Sequence, residues 1–139
     1  MDLKRDPKQR EKYITKLHLS MSLEGHIIAG ILSGGNRADI SIADELTANI
    51  HNCYIVEDKG YDSDRHRENI RNNNNIPVIP GRKNRIKTIT YNKNIYRKRI
   101  KIEQLFGKIK ENRRLALRFE KNDITFLSFI ALAIIKIII

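Results

Sequence analysis

Cysteine is almost absent from the 139-residue chain, in which Cys53 is the single example. One cysteine excludes an internal disulfide framework and a cysteine-based zinc site, and this usage is typical of a cytoplasmic protein. The start of the chain is polar, with Asp2, Asp6 and Pro7, and it lacks the apolar core of a signal peptide. These two absences predict a cytoplasmic location.

Long hydrophobic runs are scarce as well. The most apolar segment, residues 126–139, has 14 residues and a single charge, Lys136. A helix that spans a bilayer needs about 20 apolar residues. We therefore expect this segment to be a core helix that covers a sheet, and we expect no membrane contact. Apolar residues make up 40% of the chain, which is enough to build such a core.

Acidic residues are few beside basic ones, with 16 Asp and Glu against 27 Lys and Arg, and the net charge is +11. The surplus lies in residues 82–121, which hold 15 Lys and Arg and three acids. Such a stretch is typical of a surface that binds the phosphates of DNA. A solvated helix face with flexible loops is the alternative. The candidate DNA contacts are Arg82, Lys83, Arg85, Lys87, Arg113 and Arg114.

Hydrophobic periodicity predicts an α/β layout. Apolar and polar residues alternate over 13–21, a turn signal follows at 22–25, and 26–33 is rich in Ile, which together predict an antiparallel hairpin. The later elements are expected to be helix 40–50 with Asp39 as N-cap, strand 53–56 buried on both faces, helix 63–71 capped by Asp62 or Ser63, edge strand 76–79, a basic loop 81–92, and helices 93–114 and 124–139. This order predicts a mixed sheet in which strand 53–56 lies next to the first arm of the hairpin.

Asp58 follows the predicted buried strand directly. In open α/β sheets, ligands bind at the carboxyl ends of the strands, so a carboxylate there is well placed for a metal ion. The sequence continues with Lys59 and Gly60, which allow a sharp turn. An Asp at a turn often only caps it, and position alone favours that simpler role.

The helix at 93–114 carries a second candidate. Tyr96, Arg99, Glu103 and Lys110 are spaced 3, 4 and 7 residues apart, which places them on one narrow stripe beside the apolar face. Glu103 could be an ion-pair partner on the helix or a metal ligand aimed at the sheet edge. Together with Asp58 and the basic stretch, it fits a metal-dependent phosphoryl transferase, in which carboxylates hold two ions about 3.5–4 Å apart.

At these residues the chain resembles the DDE transposases of bacterial insertion sequences, in the group marked by Y-x2-R-x3-E-x6-K. Tyr96, Arg99, Glu103 and Lys110 reproduce that signature with every spacing intact, and the segment around Asp58 resembles the family's second catalytic Asp. The resemblance runs from about residue 10 to the end. It implies an RNase H-like fold, a DDE triad with Asp58 second and Glu103 third, Mg²⁺ or Mn²⁺ as cofactor, and element ends and target DNA of the bacterial nucleoid as partners.

The chain differs from the family at the first catalytic Asp. In the family it lies on a strand before the hairpin, whereas here a polar segment, residues 1–12, precedes the hairpin. Asp2 and Asp6 fall in no strand-like pattern, so we expect the first strand and its carboxylate to be absent. Residues 13–139 would then be a partial catalytic domain from a truncated or split reading frame, inactive alone. Two protein partners are then possible: a second copy of the chain, or an upstream polypeptide that supplies the missing strand.

Two other functions stay open. Glu57-Asp58-Lys59 matches the E-x-K element of restriction-type nucleases, in which Glu binds metal and Lys positions water. On a strand, Glu57 and Lys59 would point to one side and Asp58 to the other. The non-enzymatic alternative is a basic DNA-binding remnant that contacts phosphates and performs no chemistry.

Overall fold

A computed structural model describes residues 2–3, 15–112 and 122–138. The predicted hairpin is confirmed: β2 (Thr15–Met21) pairs antiparallel with β3 (Ile27–Gly34). The Ser22 amide donates to the His26 carbonyl at 2.8 Å, and Gly25 adopts a φ of +101°, which side chains rarely tolerate. The period-two pattern and this glycine turn therefore set the register locally.

A third strand joins the hairpin, and here the expectation from sequence is wrong. Residues Asp2–Leu3 form β1, whose backbone pairs antiparallel with β2 in the register Asp2↔Lys16 and Leu3↔Thr15. The strand is too short for periodicity to reveal it. It forms because β2 leaves one edge open to an extended chain, and it gives the sheet order β1-β2-β3.

The single mixed sheet is also a wrong expectation for the described residues. Strand β4 (Tyr54–Val56) pairs in parallel with β5 (Ile76–Val78) to form a separate two-stranded sheet. A cavity of about 700 Å³ lies between β2 and β4 and is lined by both strands. Burial of β4 on both faces fails too, because Ile55 is buried whereas Tyr54 is 49% exposed.

Helices α1 (Asp39–Thr47) and α2 (Asp64–Asn72) follow the predicted pattern. Ser63 caps α2 by accepting a hydrogen bond from the His66 amide. Asp39 is not the N-cap of α1, because Ala38 holds that position and makes no side-chain cap. Instead, Asp39 pairs with Lys16 at 3.0 Å, which ties the first turn of α1 to β2.

The long helix predicted over 93–114 is divided in three. Asn92 caps α3 (Lys93–Tyr96), a 3₁₀ segment follows at Arg97–Arg99, and α4 runs over Ile100–Glu111. The tighter 3₁₀ winding therefore lies between Tyr96 and Glu103 of the signature.

The apolar C-terminal segment is a core helix, as expected. In α5 (Asp123–Ile138), the side chains of Phe126, Ile130 and Ile134 share one face and are buried. They pack on Leu17 of β2 and on Leu105 and Ile109 of α4. Among the described residues, no helix combines the length and hydropathy needed to span a bilayer. A smaller core of Ile55, Ile70 and Ile79 joins β4 to α2.

Candidate active site

Asp58 caps the turn that follows β4, the simpler of the two roles that its position suggested. One oxygen, Oδ1, accepts the Gly60 amide hydrogen at 2.6 Å and caps a 3₁₀ turn at Lys59–Tyr61. The other oxygen, Oδ2, lies 4.0 Å from Nη1 of Arg99. The Asp58 side chain is 45% exposed, so the carboxylate stays in contact with solvent while the turn fixes its position.

Arg99 joins the two candidate carboxylates. Its guanidinium forms an ion pair with Glu103, one turn along the helix. It also faces Asp58, which follows β4. The same guanidinium lies 5.9 Å from the ring centroid of Tyr96, within the range of a cation–π contact. Thus Tyr96, Arg99, Glu103 and Asp58 form one group, although Asp58 is distant from the others in sequence.

Lys110 is the outlying member of the signature stripe. It is exposed on α4, seven residues beyond Glu103, which corresponds to about 10 Å along the helix axis. This distance separates it from the group around Arg99.

The cavity between β2 and β4 borders this group, and Asp58, Tyr61 and Arg99 contribute to its lining. Burial, and then the charges of Asp39, Glu57 and Asp58, raise the pKa of Tyr61 to about 12. The phenol is therefore protonated at neutral pH and can donate a hydrogen bond beside Asp58.

The donor chemistry at this place suits a hard divalent cation. Asp58 and Glu103 offer carboxylate oxygens, the ligand type that Mg²⁺ prefers, and Glu103 is 54% exposed. Over the ranges that the structure describes, no three His, Cys, Asp or Glu side chains come close enough to hold an ion together. The described residues thus provide two carboxylates around Arg99.

The E-x-K arrangement fails on geometry. Strand β4 ends at Val56, and Lys59 belongs to the following 3₁₀ turn, so Glu57 and Lys59 do not share one side of a strand. Oε2 of Glu57 lies 2.7 Å from Nε2 of His66. The Glu57 carboxylate is therefore already bound within the protein.

His66 is a polar core residue that sequence reasoning missed. Its ring is fully buried, and Nδ1 lies 2.6 Å from Oδ1 of Asp44, opposite the contact with Glu57. Burial alone would lower the pKa of His66, but hydrogen bonds and charge from Glu57 and Asp44 outweigh it and raise the pKa. Periodicity gives no sign of this, since the partners lie 22 and 9 residues away.

Asp62 is the second residue whose role the sequence did not predict. Besides preceding α2, it anchors the basic loop. Its side chain is 1% exposed and accepts hydrogen bonds from Nε and Nη2 of Arg67, at 3.1 and 2.9 Å. Arg85 Nε and the Arg82 amide also donate to it, at 2.6 and 2.7 Å. Burial alone would raise the pKa of Asp62, but these donors hold it well below its usual range.

The basic residues predicted to contact DNA differ in whether other parts of the protein already bind their side chains. The Arg82 guanidinium donates to the Gly60 carbonyl at 2.9 Å, and Arg85 also pairs with Asp64 at 2.7 Å. Lys83 and Lys87 are exposed on the same loop. The predicted contacts at Arg113 and Arg114 lie outside the described residues.

Comparison with known proteins agrees with the signature. A family model described as a transposase DDE domain matches residues 3–137. A Brucella ovis protein named as a transposase for insertion sequence element IS6501 is 32% identical over 124 residues, which cover 86% of this chain and 93% of that protein. No solved structure matches the chain. With the family model covering nearly its whole length, the chain belongs to the DDE transposases.

Proposed function

We propose that the chain cleaves DNA strands and transfers them during transposition of an insertion sequence, with an RNase H-like domain and a divalent metal ion. The observation that carries this proposal is the Arg99 guanidinium, which lies beside both Asp58 and Glu103. It brings the predicted second and third carboxylates to one place from separate elements. A bacterial cytoplasmic protein acting on the nucleoid fits this activity.

The carboxylates of Asp58 and Glu103 would hold Mg²⁺ or Mn²⁺. When a pair of such ions is bound, it activates the attacking oxygen and stabilises the leaving oxygen of phosphoryl transfer. Arg99 balances the negative charge of the two carboxylates and offers donors to a phosphate. The Tyr96 ring orients that guanidinium, and Lys110 contacts the DNA backbone farther along α4.

We propose Asp2 as the first carboxylate of the triad. Its support is the backbone pairing Asp2↔Lys16, which puts this residue on a strand beside the hairpin. A strand in that position is where the family carries its first Asp. This proposal replaces the expectation that no strand precedes the hairpin.

A second candidate keeps the expectation of a truncated or split-frame protein that is inactive alone. It is favoured by the pairing of β1, which among the described residues reaches only Thr15 and Lys16 of β2. In this case an upstream polypeptide or a second copy supplies the carboxylate, and the chain alone is a DNA-binding remnant.

The test is nicking and strand transfer on element-end DNA with Mg²⁺ or Mn²⁺. We expect activity in the unmodified chain, and loss of it in Asp58→Asn, Glu103→Gln and Asp2→Asn, whereas Asp6→Asn and Glu57→Gln retain it. Inactivity of the unmodified chain, followed by activity once an Asp-bearing strand is added upstream, would favour the second candidate. Activity that depends on Glu57 and not on Glu103 would overturn both.

A further inference from the structure

A buried histidine links two acidic residues behind the candidate site. The His66 side chain is 0% exposed, while those of Asp44 and Glu57 are 25% and 13% exposed. Asp44 lies on α1 and Glu57 follows β4, so the ring joins two elements through contacts of 2.6 and 2.7 Å. A neutral imidazole has one N–H, whereas two carboxylates at these distances require two donors. The ring is therefore an imidazolium.

The charge on His66 determines where Glu57 can stay. An ionised carboxylate that is largely withdrawn from water is strongly destabilised without a cationic partner. Arg65 contacts Asp44 at 3.3 Å, but its side chain is 68% exposed, so it screens only the outer carboxylate. His66 is thus the buried counter-charge of Glu57.

Glu57 directly precedes Asp58, and the two neighbouring carboxylates have different partners. Glu57 is held by His66, whereas Asp58 faces Arg99 and the Gly60 amide. If Glu57 were released, a second carboxylate would be free to compete for the same cation within one residue of Asp58. The contact with His66 prevents this.

We propose that His66 is a positioning residue that holds Glu57 out of the metal site, so that Asp58 is the one of the two adjacent carboxylates that binds the ion. This proposal rests on the proposed role of Asp58 as a metal ligand. A released Glu57 carboxylate would add an oxygen ligand and a negative charge near the ion, and both favour cation binding.

The test is a titration of the full chain with Mn²⁺, in which free ion is followed by electron paramagnetic resonance. We expect His66→Gln to tighten Mn²⁺ binding about tenfold, because the released Glu57 carboxylate becomes a further ligand, while far-UV circular dichroism shows a folded chain. Adding Glu57→Gln to that variant should return the affinity to near that of the parent, because the released carboxylate is no longer present. His26→Gln is the matched control, since the His26 side chain is 78% exposed.

A folded His66→Gln variant that binds Mn²⁺ like the parent would overturn the proposal, as would a double variant that binds as tightly as His66→Gln. If the His66→Gln variant fails to fold, a measurement on the parent chain still tests the proposal. In the parent chain, ¹⁵N chemical shifts of the imidazole should show both nitrogens of His66 protonated at pH 7, and a singly protonated ring contradicts the proposal. If Asp58→Asn binds Mn²⁺ like the parent, the metal site itself fails, whatever the state of His66.

Discussion

Asp58 and Gly60 approach so closely that the Gly60 amide donates to Asp58 Oδ1 at 2.6 Å. A β-carbon added at Gly60 would stand 2.7 Å from that oxygen, closer than van der Waals contact permits. The obstructing atom is the end of a side chain and can move. The glycine therefore matters for where the Asp58 carboxylate lies, more than for whether the turn can form.

Gly60→Ala should consequently weaken Mn²⁺ binding while changing the free energy of unfolding by no more than about 1 kcal/mol. Titration with Mn²⁺ and urea denaturation separate the two effects. Gly107→Ala is the matched control, because an added β-carbon on α4 meets nothing within 4 Å. Unchanged Mn²⁺ affinity in Gly60→Ala would show that the cap on Asp58 has no part in the site.

Asp62→Asn should destabilise the fold strongly. The substitution leaves the buried Arg67 guanidinium without its counter-charge, and breaking a buried pair in this way costs about 3–5 kcal/mol. Urea denaturation at pH 7 measures the loss. Asp64→Asn is the control: that side chain is 85% exposed, and we expect a change within about 0.5 kcal/mol.

The same residue predicts an acid transition. The folded-state pKa of Asp62 lies below its ordinary value, so its stabilisation is present above about pH 4 and is lost as pH falls through the folded pKa. The parent chain should therefore lose stability below about pH 4 more steeply than Asp62→Asn. Parallel slopes in the two chains would contradict a charged Asp62 in the core.

How far the sequence predicts this molecule depends on the range of the interactions. The hairpin follows from alternation and one glycine turn, and the grouping of Tyr96, Arg99 and Glu103 follows from helical spacing. Both are local, and periodicity reports local geometry well. Placing Asp58 beside Arg99 required the family resemblance, since no spacing connects them.

The failures concern contacts between distant elements. Neither the burial of His66 between two acids nor the four donors on Asp62 leaves a periodic trace, and both residues sit where a cap or a solvated face is the ordinary expectation. The two-residue strand β1 forms by pairing with an available edge rather than by its own propensity. Very short strands and buried ion pairs between distant elements therefore cannot be predicted from the periodicity of the sequence.

DNA binding should depend on the free lysines of the basic loop more than on its arginines. The parent should lose about 10³–10⁵-fold in affinity between 50 and 200 mM salt if it contacts about 6–10 phosphates. Lys83→Gln with Lys87→Gln should reduce the slope of log K against log salt by about 2, because each phosphate contact contributes about 0.9. Fluorescence anisotropy with duplex DNA measures this slope.

Lys136→Gln on α5 provides the control for that series, since the residue is exposed and lies outside the basic stretch. Its slope should equal that of the parent. A parent chain whose binding is insensitive to salt would show that residues 82–121 do not contact phosphates.

The last prediction is a stability change with pH that depends on His66. Its pKa is raised in the folded chain by Glu57 and Asp44, against the opposing effect of burial, while Tyr61 nearby stays neutral. A raised pKa contributes stability that is fully present below the unfolded value of about 6.5 and is lost as pH rises through the folded pKa.

The free energy of unfolding of the parent chain should therefore fall as pH rises from about 6.5 toward 9. His66→Gln lacks this titration, so the stability gap between the two chains should narrow over the same range. Urea denaturation at several pH values measures the gap, and His26→Gln should follow the parent throughout. A gap that stays constant from pH 6.5 to 9 would mean that His66 is not charged in the folded chain, since only loss of the imidazolium proton removes its attraction to both carboxylates.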